Sequence, residues 1–168
     1  MIKNISNLGD AALYCDFGKD INKETNTKVI RYFKSIQKEN IEGVNNLTPS
    51  YNKLIVSFDL RKTNFKDLKR LIENLEINKS DNFKNKRIKI PVCTDKSFSL
   101  DIKRLEEKLT INKEQIYEKF FNKEFFCYMT GFIAGMPFLG DLDKNMRAKR
   151  LETPRVKVPK GSVGLTEQ

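Results

Sequence analysis

The 168-residue sequence predicts an α+β protein. Three observations carry this. Short β-favouring runs open the chain and recur at "KLIVSF", residues 53–58. Two longer segments, about 22–40 and 63–77, repeat apolar residues at three- and four-residue spacing. The order strand, strand, helix, strand, strand, helix then folds most simply as an antiparallel sheet covered by two helices.

Each element has a local reason. "KNISNLGDAALYCDFG" reads as two short strands around Gly9-Asp10. In "INKETNTKVIRYFKSIQKEN", Ile21, Val29, Ile30, Phe33 and Ile36 share one helical face. "EGVNNLTPSYNKLIVSFDL" reads as a hairpin turning at Pro49-Ser50. "TNFKDLKRLIENLEI" is a second amphipathic helix, capped by Thr63 or Asn64, with Phe65, Leu68, Leu71, Ile72 and Leu75 as its buried stripe. The polar, lysine-rich "NKSDNFKNK", residues 78–86, reads as a linker. Beyond it "RIKIPVC" reads as a strand that Pro91 confines to an edge or bulge. "SLDIKRLEEKL" reads as a helix capped by Ser99, and "TINKEQIYEKFF" as a short helix capped near Asn112. "EFFCYMTGF", aromatic and β-favouring, reads as a strand.

Composition narrows the function. With 39% hydrophobic and 32% charged residues, wholesale disorder is excluded. No apolar run is long enough to span a bilayer, and no secretory leader is visible, so no membrane partner is expected. Cys15, Cys93 and Cys127 are widely separated in apolar contexts, which argues against disulfides and zinc and for a cytoplasmic setting. Cys93 and Cys127, inside expected strands, read as core residues rather than nucleophiles. The net charge of +10 raises the question of nucleic acid, but lysines and acids interleave throughout, as on a solvated surface, and no nucleic-acid partner is expected. Histidine is absent, so no Ser-His-Asp triad, Cys-His pair or imidazole ligand exists within the chain, and no metal site is expected.

Two segments stand out. "YMTGFIAGMPFLGDLD", residues 128–143, concentrates Gly131, Gly135, Pro137 and Gly140 among Phe132, Met136, Phe138 and Leu139. It lacks the GK[ST] of a phosphate cradle, and Pro137 spoils a GxxxG helix face. A buried connection leaving a strand fits better, its glycines permitting unusual φ/ψ. Its apolar side chains then either fill a core or line a cleft. In "LETPRVKVPKGSVG", residues 151–164, Thr153-Pro154-Arg155 sets an extended stretch that holds out an arginine. Val156 and Val158 alternate as in a half-buried strand, and Pro159 to Ser162 reads as a turn. Arg155 suits bidentate capture of a carboxylate or phosphate, or is a surface cation. Lys144 to Lys160 holds seven basic residues against Glu152 alone, as an anion-attracting mouth or a solvated edge would.

In this order, "GFIAGMPFLGDLD", "TPR" and "VPKGSVG" resemble the KipI family, the B-type subunits of 5-oxoprolinase, also known as allophanate hydrolase subunit 1 and built from carboxyltransferase subdomains C and D. That family carries G-F-A-P-G-F-P-Y-L-G-G-L-D, then T-P-R, then V/I-P-A-G-S-V-G. "IPVC" and "LGDAAL…FG" fit as well, so the resemblance runs through the whole chain. It departs at Ile133-Ala134, Met136, Asp141 and Lys160, at "AKR" (residues 148–150) in place of a first T-P-R, and at Phe120 near the place of a frequent histidine. The stop at "GLTEQ", where the family continues with strands, reads as a truncated product or incomplete sequence.

The resemblance implies an N-terminal two-layer α/β sandwich, about 1–80, followed by an incomplete cyclophilin-like β-barrel, 86–168. It implies the B-type subunit of an ATP-dependent 5-oxoprolinase-type hydrolase, opening 5-oxoproline to glutamate. The partners it implies are a paralogous C-type subunit, together with an A-type one. ATP is then used by the complex, not necessarily bound by this chain. An allophanate hydrolase or urea carboxylase-like carboxyltransferase subunit, or a KipI-like inhibitor of a sensor histidine kinase, are the alternatives. For a small acidic substrate the residues expected to act are Asp143, as acid–base or orienting carboxylate, and Arg155. Gly131, Phe132, Gly135, Pro137, Phe138, Gly140, Thr153, Pro154 and Ser162 are expected to line its site.

Overall fold

The computed structural model describes residues 1–77 and 86–167. The expected linker, 78–86, falls almost wholly outside the described residues. The chain forms two compact units, one of Met1–Asn85 with Cys127–Phe138, the other of Lys86–Phe126 with Leu139–Gln168.

The first unit is built on a four-stranded antiparallel sheet. Its strands are β1 (Asn4–Asn7), β2 (Ala12–Asp16), β3 (Val44–Pro49) and β4 (Lys53–Phe58), in the order β1-β2-β4-β3. Register follows the period-2 pattern: Leu13 pairs with Val56 and Cys15 with Leu54, and all four are fully buried. A bulge between Val44 and Asn46 interrupts β3.

Two helices cover the sheet: α1 (Lys23–Glu39) packs on β3 and β4, and α2 (Phe65–Glu73) on β2. Asn22 caps α1 by accepting from the Thr25 amide, and Asn64 caps α2 by accepting from the Asp67 amide. Val29 and Ile36 of α1 and Leu68 and Ile72 of α2 complete the core around Leu13, Leu54, Val56 and Phe58. The expected stripe of α2 is narrower than its sequence implies. Leu71 lies on the flank and is exposed, because Leu68 and Ile72, four residues apart, already fill the line of contact.

A β-hairpin, β5 (Phe126–Thr130) and β6 (Pro137–Gly140), is anchored to the sheet and helices of the first unit, with a buried amide at the centre of the contact. Asn26 of α1 is 2% exposed. Its Nδ2 donates to the carbonyls of Ser50 (3.1 Å), Tyr51 (2.9 Å) and Tyr128 (3.0 Å). The turn between β3 and β4 and the middle of β5 are thereby held to one helix.

The second unit is smaller. Helices α3 (Ile102–Leu109) and α4 (Lys113–Phe121) pack Ile116 against Leu142 and Met146, with Leu105, Phe120 and Phe125 around them. Asn112 and Gln115 form a reciprocal capping box at the start of α4.

Three local expectations fail here. Ser99 does not cap α3; Asp101 holds that position, while the Ser99 hydroxyl bonds the carbonyls of Thr94 and Asp95 and the Tyr117 hydroxyl. Residues 87–93 form no ladder, and Ile88 and Ile90 are exposed. Val156 and Val158 are likewise exposed and unladdered, not half-buried. Period-2 alternation marks a chain able to form a strand, but a strand exists only where a neighbour accepts its backbone groups. No such neighbour occurs among the described residues. Cys93 is therefore exposed; Cys127 lies in the strand Phe126–Thr130 but on the face opposite the buried Tyr128 and is exposed too, whereas Cys15 is buried.

Two outcomes follow. Asn26→Ala leaves buried carbonyls without their donor and lowers unfolding free energy by about 1–3 kcal/mol in urea titration. Burial pushes the Cys15 thiol from 9.0 up to about 12. A thiol reagent at mildly alkaline pH modifies Cys93 and Cys127 in the native protein and Cys15 only after unfolding. Since folding raises this pKa, the associated stability is complete below pH 9.0 and is lost as pH climbs toward about 12.

Candidate functional site

The glycine-rich segment is the β5–β6 hairpin and its loop. The loop closes through the Gly131 amide on the Met136 carbonyl (3.0 Å) and the Met136 amide on the Ile133 carbonyl (3.2 Å). Gly135 takes φ +78°, which its lack of a Cβ permits. Phe132 takes φ +67°, an uncommon conformation for an aromatic residue. The loop is not the buried connection its composition suggests. Phe132 is 91% exposed, and Ile133, Met136, Pro137 and Leu139 are exposed too. Only its base is packed. The Tyr51 ring lies 5.5 Å from Tyr128 and edge-on to Phe138 at 6.4 Å, and Ser50 Oγ meets Met129 Sδ at 3.2 Å.

The ionic residues lie in the second unit, each with its own counterion. Asp143 pairs with Lys123, which follows α4. Arg155 makes a two-pronged contact with Asp101 at the start of α3. Nη1 donates to Oδ2 at 2.6 Å and Nη2 to Oδ1 at 2.5 Å. The Arg155 guanidinium beside Asp101 holds that carboxyl below its usual range. Arg104 of α3 reaches the opposite way, donating to the Lys149 carbonyl at 2.6 Å and more weakly to that of Arg150. The basic arm is thus fastened to α3 by two arginines rather than by a ladder. Thr153 and Pro154 are exposed along it. The Ser162 hydroxyl is turned onto the Pro159 carbonyl at 2.7 Å, inside the expected turn, where Gly161 has φ +82°.

Of the expected residues, the fold gathers Gly131, Phe132, Gly135, Pro137 and Phe138 into one hairpin that β6 ends at Gly140. Asp143 and Arg155 stand in separate ion pairs. Sequence reasoning missed Asp101, Lys123 and Tyr51. Asp101 carried a usable signal: an acid just before the apolar period of α3 is a cap candidate as good as Ser99. Within the second unit, a shallow apolar concavity is lined by Phe120, Phe125, Leu139, Leu142 and the Val163–Thr166 segment. Among the described residues no three His, Cys, Asp or Glu side chains cluster as a metal site would require. No helix among them is long and apolar enough to cross a membrane.

The family model described as "Carboxyltransferase domain, subdomain C and D" matches residues 3–168. The chain belongs to that carboxyltransferase family. Within it, the chain is 30% identical over 173 residues to the B-type subunit of 5-oxoprolinase from Bacillus subtilis, covering 96% of this chain and 72% of that protein. It is 28% identical over 172 residues to the protein of the same name from Haemophilus influenzae, covering 96% of this chain and 75% of that protein. Among solved structures, that of TTHA0988 superimposes with a TM-score of 0.80 at 22% identity, over 94% of this chain but only 31% of its own. The Kluyveromyces lactis urea carboxylase superimposes with a TM-score of 0.58 at 13% identity, over 76% of this chain and 13% of its own. These two likenesses establish a shared mixed α/β fold.

A Phe at φ +67° whose ring touches little solid matter is a cost to folding without a visible return. Phe132→Gly should leave the unfolding free energy unchanged or raise it by about 0.5–1 kcal/mol, as read by thermal denaturation.

Proposed function

We propose that this chain is the B-type subunit of a 5-oxoprolinase-type amidohydrolase, opening 5-oxoproline to glutamate in the cytoplasm with ATP used by the complex. The observation that carries the reading is its kinship along 96% of its length with two proteins of that name. The paralogous C-type subunit, together with the A-type one, are its proposed partners. The second unit is, on the same reading, part of a cyclophilin-like barrel.

The chemistry assigns roles. A lactam carboxylate needs a cation and fixed donors in a sheltered place, because charge builds on the amide oxygen as the ring opens. Arg155 supplies the cation and a planar fork that matches a carboxylate. Gly131, Phe132, Gly135, Pro137, Phe138 and Gly140 supply a hairpin whose base is fixed and whose tip is open, to be covered by a partner of the complex. Thr153, Pro154 and Ser162 frame the arm that carries Arg155. Asp143, held by Lys123, serves as acid–base or orienting carboxylate.

The test is ATP-dependent turnover of 5-oxoproline by the reconstituted complex. Arg155→Ala should raise KM at least tenfold by removing the carboxylate's partner. Asp143→Asn should lower kcat by about a hundredfold or more with KM little changed. Full activity in both variants would remove these assignments, and absence of turnover by the wild-type complex would remove the reading itself.

A further inference from the structure

Arg155 already holds a carboxylate, and that carboxylate belongs to the protein. The contact with Asp101 has the two parallel N–H···O bonds that a carboxylate guest would make, at 2.6 and 2.5 Å. Both side chains remain about one-third exposed, at 35% and 34%, so solvent reaches the pair. Asp101 sits at the N-cap position of α3 yet makes no cap hydrogen bond. Both of its oxygens go to Arg155, its backbone (φ −111°, ψ 8°) lacks the extended conformation of the capping residues Asn22, Asn64 and Asn112, and the Ile102 amide bonds the Ser99 carbonyl at 3.3 Å.

We propose that Asp101 is a built-in competitor for the small carboxylate that Arg155 receives, occupying the guanidinium until a guest displaces it. This deepens the proposed function and rests on its assignment of a carboxylate substrate to Arg155.

Three features make the exchange feasible. The pair is partly exposed, so it is screened and worth little net free energy. A displaced Asp101 keeps a positive neighbour in Arg104, one helical turn away and itself anchored on the arm's carbonyls. It also stays at the start of α3, where the helix dipole favours a negative charge. The arm keeps its second fastening, from Arg104 to Lys149, while Arg155 changes partner. The device sets a threshold. Acids too weakly bound to outcompete a tethered carboxylate are excluded, and neutral lactams gain nothing from Arg155.

The experiment measures 5-oxoproline binding by calorimetry to the full chain, alone and in the reconstituted complex, with 2-pyrrolidinone, the same ring without its carboxylate, as control. Asp101→Asn and Asp101→Ser remove the charge that holds Arg155, the first with nearly the same shape and the second with a shorter side chain. Both should tighten 5-oxoproline by about fivefold, the scale of one partly exposed ion pair. Neither should change 2-pyrrolidinone. Arg155→Ala should abolish the gain when combined with either. Unchanged or weaker 5-oxoproline binding in both Asp101 variants, or no binding to any form, overturns the inference and marks the pair as a strut. If the variants tighten binding while the wild-type complex shows no turnover, the competitor stands and the proposed activity falls. Turnover without tightening has the reverse meaning.

Discussion

The placing of the β5–β6 hairpin depends on how one buried amide nitrogen is shared. Asn26 Nδ2 carries two hydrogens and faces three carbonyls, from Ser50, Tyr51 and Tyr128, which lie 24, 25 and 102 residues away in sequence. An isolated two-stranded hairpin is marginal in water. The β5–β6 hairpin is therefore ordered by what its base is fixed to, namely Asn26 and the Tyr51 ring against Tyr128 and Phe138. Among the described residues nothing comparable holds its tip, where Phe132 and Ile133 stand in solvent. A fixed base under an open tip is the arrangement a covering partner can use, because the ordering has been settled before that partner arrives.

What the sequence reveals and what it hides divide along the same line. In the four-stranded sheet and its two helices, local rules and tertiary contacts largely agree. Leu13, Cys15, Leu54 and Val56 alternate and are buried, and Asn22 and Asn64 cap where apolar periodicity begins. In the second unit they diverge. Ile88, Ile90, Val156 and Val158 alternate as strictly as β4 does, yet no ladder forms, because pairing is a property of two segments and the pattern reports only one. The same reasoning misplaces Cys93, while Cys127 lies in a strand that does form but on its open face, opposite the buried Tyr128. Asn26 is illegible for the opposite reason. A polar residue inside an amphipathic helix looks like surface until its three acceptors, two of them in a distant turn, are brought to it.

The candidate site shows this limit most sharply. Residue type indicates that Arg155 suits a carboxylate, and the contact with Asp101 has that geometry. Type does not indicate that the carboxylate comes from the chain itself. Asp101 precedes Arg155 by 54 residues and sits at the head of α3, where an acid is ordinarily read as a cap. Nor does type show that Asp143 meets Lys123, a lysine among 32 basic residues.

An arginine held by an internal acid is both prepared and hindered. A free guanidinium on an exposed arm samples many rotamers, and binding must fix one. Asp101 fixes it in advance and orients the fork toward a planar anion, which lowers the ordering cost of capture. The same contact must be broken before a guest can enter. Which effect dominates depends on how cheaply Asp101 finds another partner. Arg104 and the positive end of the α3 dipole lie within the same helical turn, so its alternatives are close at hand. Preparation is thus retained at small hindrance, and the solvent that reaches the pair, with Arg104 beside it, is what makes the exchange cheap.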